Sequence, residues 1–206
     1  MYFEIDTDIS LANEPLLQDA ADSGETIIAQ YMKELAANLN ASEQGLLNKM
    51  VIAARVECEK YCQLSFGQKT RVAMYFPDDL EYYEHVIELP HGPISSITSI
   101  YPIDTDGTQL DALTSGSGYY KMGESFPQIT IPKISSTAIG ASFGDSGVKI
   151  TYVCGYGASG CDTLPDNLLV AMCKQVAEWW HNRNNWIPVL HSEIREILIP
   201  YVRDVI

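Results

Sequence analysis

The stretch VKITYVCGYGASGCDTLPDNLLVAMCKQVAEWWHNRNN, residues 148–185, joins a β-rich run to an amphipathic helix. Apolar and polar residues alternate through VKITYVC, which is typical of a strand with one buried face. Pro165 and Asp166 suit a first helical turn, because that turn tolerates a missing N–H and favours an acid. The apolar spacing that follows predicts a helix over residues 164–184 with one buried face. The residues of that face are Leu169, Met172, Cys173, Val176, Trp179 and Trp180.

Residues 68–154, upstream of this helix, consist of short β-rich runs separated by the turn-forming sequences PDD, HGP, DTDG and GSG. None of the intervening segments has the length or the period of a crossover helix. Because parallel strands need such crossovers, we expect antiparallel strands and hairpins here.

Helices are predicted on both sides of this β region. A short helix begins at Thr26, and Ser42 caps a longer one that ends near residue 66. The buried stripe of the longer helix is Leu47, Met50, Val51, Ala54, Cys58, Tyr61 and Cys62. A last short helix within residues 192–206 carries Ile194, Ile197, Leu198 and Tyr201 on one side. The pattern predicts an α+β fold, a helical bundle with an inserted antiparallel sheet.

The length of 206 residues is that of about one domain. We expect a single domain over residues 26–186, with helices in 26–66, the β region in 68–154 and the last long helix in 164–184. Residues 1–25 lack sustained periodicity and predict an acidic arm that orders on a partner, with a short helix near residues 15–21. Residues 187–206 are apolar but too short to fold alone, which predicts a docking tail.

Charge and composition exclude several classes of protein. The chain has 13 Lys+Arg against 27 Asp+Glu, a net charge of −14, so phosphate groups of nucleic acid or of an anionic membrane are repelled. No apolar run approaches the roughly 18 residues of a membrane span, and the acidic start is unlike a secretion signal. We expect a soluble, unexported chain whose five cysteines are free thiols or small core residues.

The charge is unevenly distributed along the chain. Residues 1–45 carry nine acids and one base, and residues 77–165 carry eleven acids and three bases. Residues 46–76, in contrast, carry five bases and two acids. Such asymmetry suits either head-to-tail joining of copies or simply two solvated faces.

Three motifs suggest chemistry but lack the context for it. GYGASG at 155–160 matches a dinucleotide fingerprint, but four residues separate its last glycine from the helix that starts at Pro165. GASFG at 140–144 leads into a strand, whereas a hydrolase nucleophile at Ser142 needs a helix after it. Cys58 and Cys62 fall on a buried stripe without a second metal-ligand pair. We therefore expect no catalytic residue, cofactor or metal.

Four segments in order resemble the head-tail connector (adaptor) proteins of long-tailed double-stranded DNA phages and gene transfer agents. They are a helix ending in AARVECEKYCQLSFGQ, then IELPHGPISSITSIYPIDTDGTQLD, VKITYVCGYG and LPDNLLVAMCKQVAEWWHNRNN. Their order and spacing match the family over roughly residues 43–186. The residues that carry the resemblance include Arg55, Pro90, Gly107, Tyr152, Gly155, Gly157, Trp179, Trp180 and Arg183. These positions maintain the fold and form no active site. The acidic arm and the long link CGYGASGCD depart from the family pattern.

The resemblance implies a structural virion protein without enzymatic activity. It would form a ring, usually dodecameric, between the capsid portal and the tail, and would extend the DNA channel. The implied partners are other copies of the chain, the portal protein, a stopper or tail-completion protein, and duplex DNA that passes without specific binding. The implied location is the virion neck after synthesis in the host cytoplasm. Ile194, Ile197, Leu198 and Tyr201 are the candidate portal-docking residues, although packing on their own domain explains them equally well.

Two alternatives remain from the sequence. One is another neck protein, a stopper or a tail-completion protein. The other is an acidic β-rich module that binds carbohydrate or protein at a virion or cell surface, with Tyr82, Tyr83, Tyr119 and Tyr120 as its aromatic platform.

Overall fold

The structure is a computed structural model. It describes residues 3–6, 28, 31–32, 39–75, 84–103, 107–123, 128–132, 147–157, 164–184, 187 and 189–203. The chain forms two compact units. The β unit contains residues 1–8 and 68–161, and the helical unit contains residues 9–67 and 162–206. Among the described residues, the grouping places Phe3–Asp6 in the β unit and residues 189–203 in the helical unit.

Three helices build the described part of the helical unit: α1 (Ala41–Cys62), α2 (Asp166–His181) and α3 (Ser192–Leu198), followed by a 3-10 turn at Ile199–Tyr201. Each of the three packs against the other two. Their shared core contains Leu47, Met50, Val51, Ala54, Cys58, Cys62, Leu168, Met172, Val176, Trp179, Trp180, Ile194 and Leu198. Of the helix expected from Thr26, the structure describes only Ile28, Tyr31 and Met32, and it buries Ile28 and Met32.

Helix α1 begins two residues earlier than Ser42 would place it. The N-cap is Asn40, whose side chain accepts hydrogen bonds from the N–H groups of Ser42 and Glu43, both at 3.0 Å. Glu43 in return accepts the Asn40 N–H at 3.1 Å, which completes a capping box. The helix ends at Cys62, and Gln63 follows with a left-handed backbone (φ +56°) that turns the next N–H, that of Leu64, back to the Glu59 carbonyl at 3.2 Å.

The β unit contains two antiparallel sheets. The first has the order β1-β2-β7-β4 and consists of Phe3–Asp6, Lys69–Tyr75, Val148–Cys154 and Ile94–Pro102. The second has the order β3-β6-β5 and consists of Glu84–Glu88, Gln128–Pro132 and Tyr120–Met122. Strand β7 has one fully buried face, Val148, Ile150, Tyr152 and Cys154. These residues share one core with Ile87, Ile129 and Ile131 of the second sheet.

The chain start departs from the expected unstructured arm. Phe3–Asp6 pairs antiparallel with Met74–Arg71 and so adds an edge strand to the first sheet. The backbone hydrogen bonds of that edge satisfy donors and acceptors of β2, which is a reason for this segment to order within its own chain. The short helix expected near residues 15–21 lies outside the described residues.

Candidate assembly site

The C-terminal segment was the candidate for portal docking, and the structure separates its four residues. Ile194 and Leu198 are buried in the helical unit, with exposures of 3% and 0%. Ile197 and Tyr201 are half-buried. The segment is fixed to α1 at its end, where the Arg203 N–H donates to the Cys62 carbonyl at 3.0 Å. Ile194 and Leu198 are therefore core residues here and are not available as docking anchors.

Buried polar groups tie this segment to α2 as well. Gln175 is 1% exposed, and its side-chain oxygen accepts the His191 N–H at 2.9 Å, just before α3 begins. The bond positions α3 against α2. The outward side of the segment carries exposed apolar residues, Ile199 at 59% and Val202 at 40%.

Arg55 anchors the turn after α1 through a carboxylate that the sequence pattern did not single out. Its Nη1 donates to Glu59 Oε2 at 2.7 Å, and both side chains are only 7% exposed. Glu59 Oε1 accepts the Phe66 N–H at 2.6 Å. The buried Glu59 carboxylate thus neutralises the Arg55 guanidinium and also accepts the backbone N–H of Phe66, just after the helix ends. The i, i+4 spacing of Arg55 and Glu59 was the available sequence signal.

The two tryptophans of α2 occupy the centre of the helical core. Trp179 and Trp180 are 3% and 1% exposed. The guanidinium carbon of Arg183 lies 5.2 Å from the centre of the Trp180 ring, a cation–π distance. The motif residues of this helix are therefore packing residues, and Arg183 covers the end of the core.

Two hydrogen bonds of motif residues in the β unit hold the loop after β3 against strand β7 and its end. The Tyr152 hydroxyl donates to the Pro90 carbonyl at 3.2 Å within the core. The Gly155 N–H donates to the Pro93 carbonyl at 2.8 Å, and Gly155 has φ +103°. A positive φ of this size favours glycine, and Gly157 follows with φ +138°. The loop and the strand end hold each other in place.

Gly107 is the last residue of DTDG, one of the turn-forming sequences, and it has φ +85°. On either side of it, Ile103 and Gln109 form an antiparallel bridge, and the Leu110 N–H donates to the Pro102 carbonyl at 2.9 Å. Asp106 itself lies outside the described residues.

The catalytic-looking motifs do not assemble into a reactive centre among the described residues. Pro165 is the N-cap of α2, so the helix does not open on Gly155 or Gly157 as a dinucleotide-binding helix would. Burial raises the pKa of Cys62 to about 12 and also raises that of Cys58, which disfavours the thiolate that a metal or a nucleophilic reaction requires. The described residues contain no group of three or more metal-ligating side chains. Ser142 lies outside them.

Of the four tyrosines that the sequence suggested as an aromatic platform, one is exposed within the described residues. Tyr119 packs against the core, whereas Tyr120 is 49% exposed. Tyr82 and Tyr83 lie outside the described residues. Where helices are described, none is long and apolar enough to cross a membrane.

No family model and no curated protein matches this chain. Solved structures do match it. A chain in the structure described as "Neck of empty GTA particle computed with C6 symmetry" aligns with a TM-score of 0.67 at 17% identity, covering 100% of this chain and 97% of that chain. A chain in the "Neck of native GTA particle computed with C12 symmetry" aligns at 0.63 and 16% identity, with the same coverage. A third, from the "Virion of native gene transfer agent (GTA) particle", aligns at 0.66 and 17%, also over 100% and 97% of the two chains. The chain therefore has the fold of a neck component of gene transfer agent particles.

Proposed function

We propose that this chain is a structural neck protein of a phage-like particle, a head-tail adaptor that forms a ring between the portal vertex and the tail. The observation that carries the proposal is the agreement of fold over 100% of this chain and 97% of a neck component. The helical unit and the β unit both have counterparts in that one neck protein. The order of sequence motifs supports the same role independently.

Ring formation is supported by the symmetry of the neck structures that share the fold, C12 in one and C6 in another. A closed ring requires a heterologous interface, in which one surface of each copy meets a different surface of the next. Of the five bases in residues 46–76, Lys49 and Lys60 are exposed, so they give an otherwise acidic chain a basic surface on α1 that suits an acidic surface of the next copy. A dodecamer is the proposed state.

The net charge of −14 suits a conduit for DNA. Carboxylates that line a channel repel phosphates and let a duplex pass without adhering. We assign the lumen to part of the acidic surface, which includes the exposed Glu88 and Asp111 of the β unit. The other proposed partners are the portal and a stopper or tail-completion protein. The chain would be made in the host cytoplasm and would end in the virion neck. No catalytic role is proposed.

In this proposal the C-terminal segment is part of the helical core, whereas its sequence suggested a tail that docks on the portal. Because Ile194 and Leu198 complete the helical core, truncation after Val189 should unfold the helical unit and should not remove a portal contact alone. Any contact of this segment with another chain must use its exposed side.

Antibody labelling of particles tests the location. Intact particles, tailless heads and free tails are labelled with gold against this chain and viewed by electron microscopy, with particles that lack the chain as the control. Gold at the single neck vertex of particles and of tailless heads supports an adaptor. Gold on free tails alone contradicts the adaptor role and favours a tail-completion protein. Gold spread over capsid or fibres contradicts any neck role and favours the surface binding module.

A further inference from the structure

Helix α1 presents a narrow basic and apolar face to solvent. Lys49, Val56 and Lys60 are exposed, Val56 to 44% of its surface. At about 100° per residue the three lie within about 40° of one another around the helix, opposite the buried stripe. Ile52 and Ala53 flank them half-buried. This set of residues is called the α1 face.

Helix α3 and the turn after it present an acidic and apolar face, bordered on the Ile199 side by the exposed Arg195. Glu193, Glu196 and Ile199 are exposed at three-residue spacing, and Ile199 is 59% exposed. They lie on the side away from the buried Ile194 and Leu198. This set is called the α3 face.

The two faces are complementary in charge and in spacing. On the α1 face the charge of Lys60 and the apolar side chain of Val56 are one helical turn apart. On the α3 face Glu196 and Ile199 are also about one turn apart. Opposed faces of this kind place ammonium against carboxylate and apolar surface against apolar surface.

The two faces also point away from each other. Helices α1 and α3 pack together through their buried sides, with Cys62 Sγ 4.0 Å from the Leu198 carbonyl oxygen. One copy can therefore engage a neighbour through each face at the same time. A contact of this heterologous kind continues from copy to copy and closes a ring when the rotation allows.

We infer that the α1 face of one copy binds the α3 face of the next copy, an inference that rests on the proposed ring-forming function. The occupant is a second copy because the chain is strongly acidic, so most of its surface repels another copy and the basic α1 face is where one can approach. The apolar Val56 between the two lysines suits a protein surface better than a row of phosphates.

Charge exchange on the full chain tests this inference. The variants are K49E/K60E, E193K/E196K and the combination of all four substitutions. The matched control is K121E/K174E, which makes the same charge change at exposed lysines of β5 and α2. Sedimentation velocity over a concentration series gives the apparent dissociation constant of self-association, and circular dichroism verifies that each variant is folded.

Each double variant on the two faces should weaken self-association at least about tenfold, because like charges then oppose each other. The four-substitution chain, and an equimolar mixture of the two double variants, should regain it. The K121E/K174E control should stay within about twofold of the wild type. If wild-type chains do not associate, the proposed ring function is contradicted and this inference with it. If they associate and K49E/K60E associates equally well, this inference alone is overturned.

Discussion

Replacing Glu59 by alanine should destabilise the helical unit more than any surface change on α1. The carboxylate is 7% exposed, so solvent screens its interactions weakly. It lies 2.7 Å from Arg55 Nη1 and accepts the Phe66 N–H at 2.6 Å. Truncation to alanine removes both the buried ion pair with Arg55 and the acceptor of the Phe66 N–H, and breaking a buried ion pair in this way costs about 3–5 kcal/mol. Glu59→Gln keeps an oxygen acceptor and nearly the same volume, so its cost should be smaller, about 1–3 kcal/mol.

Tryptophan fluorescence during urea unfolding measures this loss selectively. The chain has three tryptophans, at 179, 180 and 186, and all belong to the helical unit. The change in emission therefore reports the unfolding of that unit alone. Glu57→Ala removes the same group from a partly exposed position two residues earlier and should change the free energy of unfolding by no more than about 0.5 kcal/mol. A Glu59→Ala chain within about 1 kcal/mol of the wild type would refute the role given to this carboxylate.

Four further predictions concern stability. Gly155→Ala should cost the β unit about 1–2 kcal/mol by thermal circular dichroism, since its φ of +103° strains any side chain, whereas an unchanged melting temperature would contradict this conformation. Gly45→Ala, with no atom within 4 Å of the added Cβ, should stabilise α1 by about 0.5–1 kcal/mol, and a lower stability would contradict a helical Gly45. Asn40→Ala should cost about 1 kcal/mol, while Asn40→Asp should keep the cap. Burial raises the pKa of Cys173 from 9.0 to about 12. As the pH rises, the thiol ionises first in the unfolded chain. The contribution of the neutral Cys173 thiol to the free energy of unfolding is therefore complete below pH 9 and declines up to about pH 12. Between these pH values Cys173→Ala should make the free energy of unfolding fall less steeply, by about 1.4 kcal/mol per pH unit. Equal slopes for the variant and the wild type would refute the raised pKa of Cys173.

Helix α2 shows how far periodicity identifies a buried face. The stripe of Met172, Cys173, Val176, Trp179 and Trp180 is buried as the spacing indicates. At the first turn the structure buries Leu168 and leaves Leu169 only half-buried. The sequence pattern does not decide between these two leucines, because the polar Gln175 occupies a buried position and interrupts the apolar spacing. Its partner, the His191 N–H, is distant in sequence and no local pattern predicts it.

The sequence contains enough information to place the start of α1 correctly. Ser42 and Asn40 are both good N-cap residues. Only Asn40 has a glutamate three residues later, and the structure forms the resulting capping box with Glu43. The spacing of a reciprocal partner therefore decides between two caps of similar propensity.

Strand β1 marks the limit of local patterns. Four residues are too few for periodicity to be read, and their partner strand β2 begins at Lys69. Such a pairing depends on which edge of a sheet is free. The same limit applies to the candidate docking residues, since a stripe such as Ile194 and Leu198 reads alike whether its own domain or a partner covers it.

The most direct test of the neck proposal is electron microscopy of particles from cells in which this chain has been deleted. The account predicts filled or partly filled heads and separate finished tails, with no joined particles, and restoration of joining when the chain is supplied again. Deletion that leaves normally joined, infectious or gene-transferring particles would contradict the proposed function.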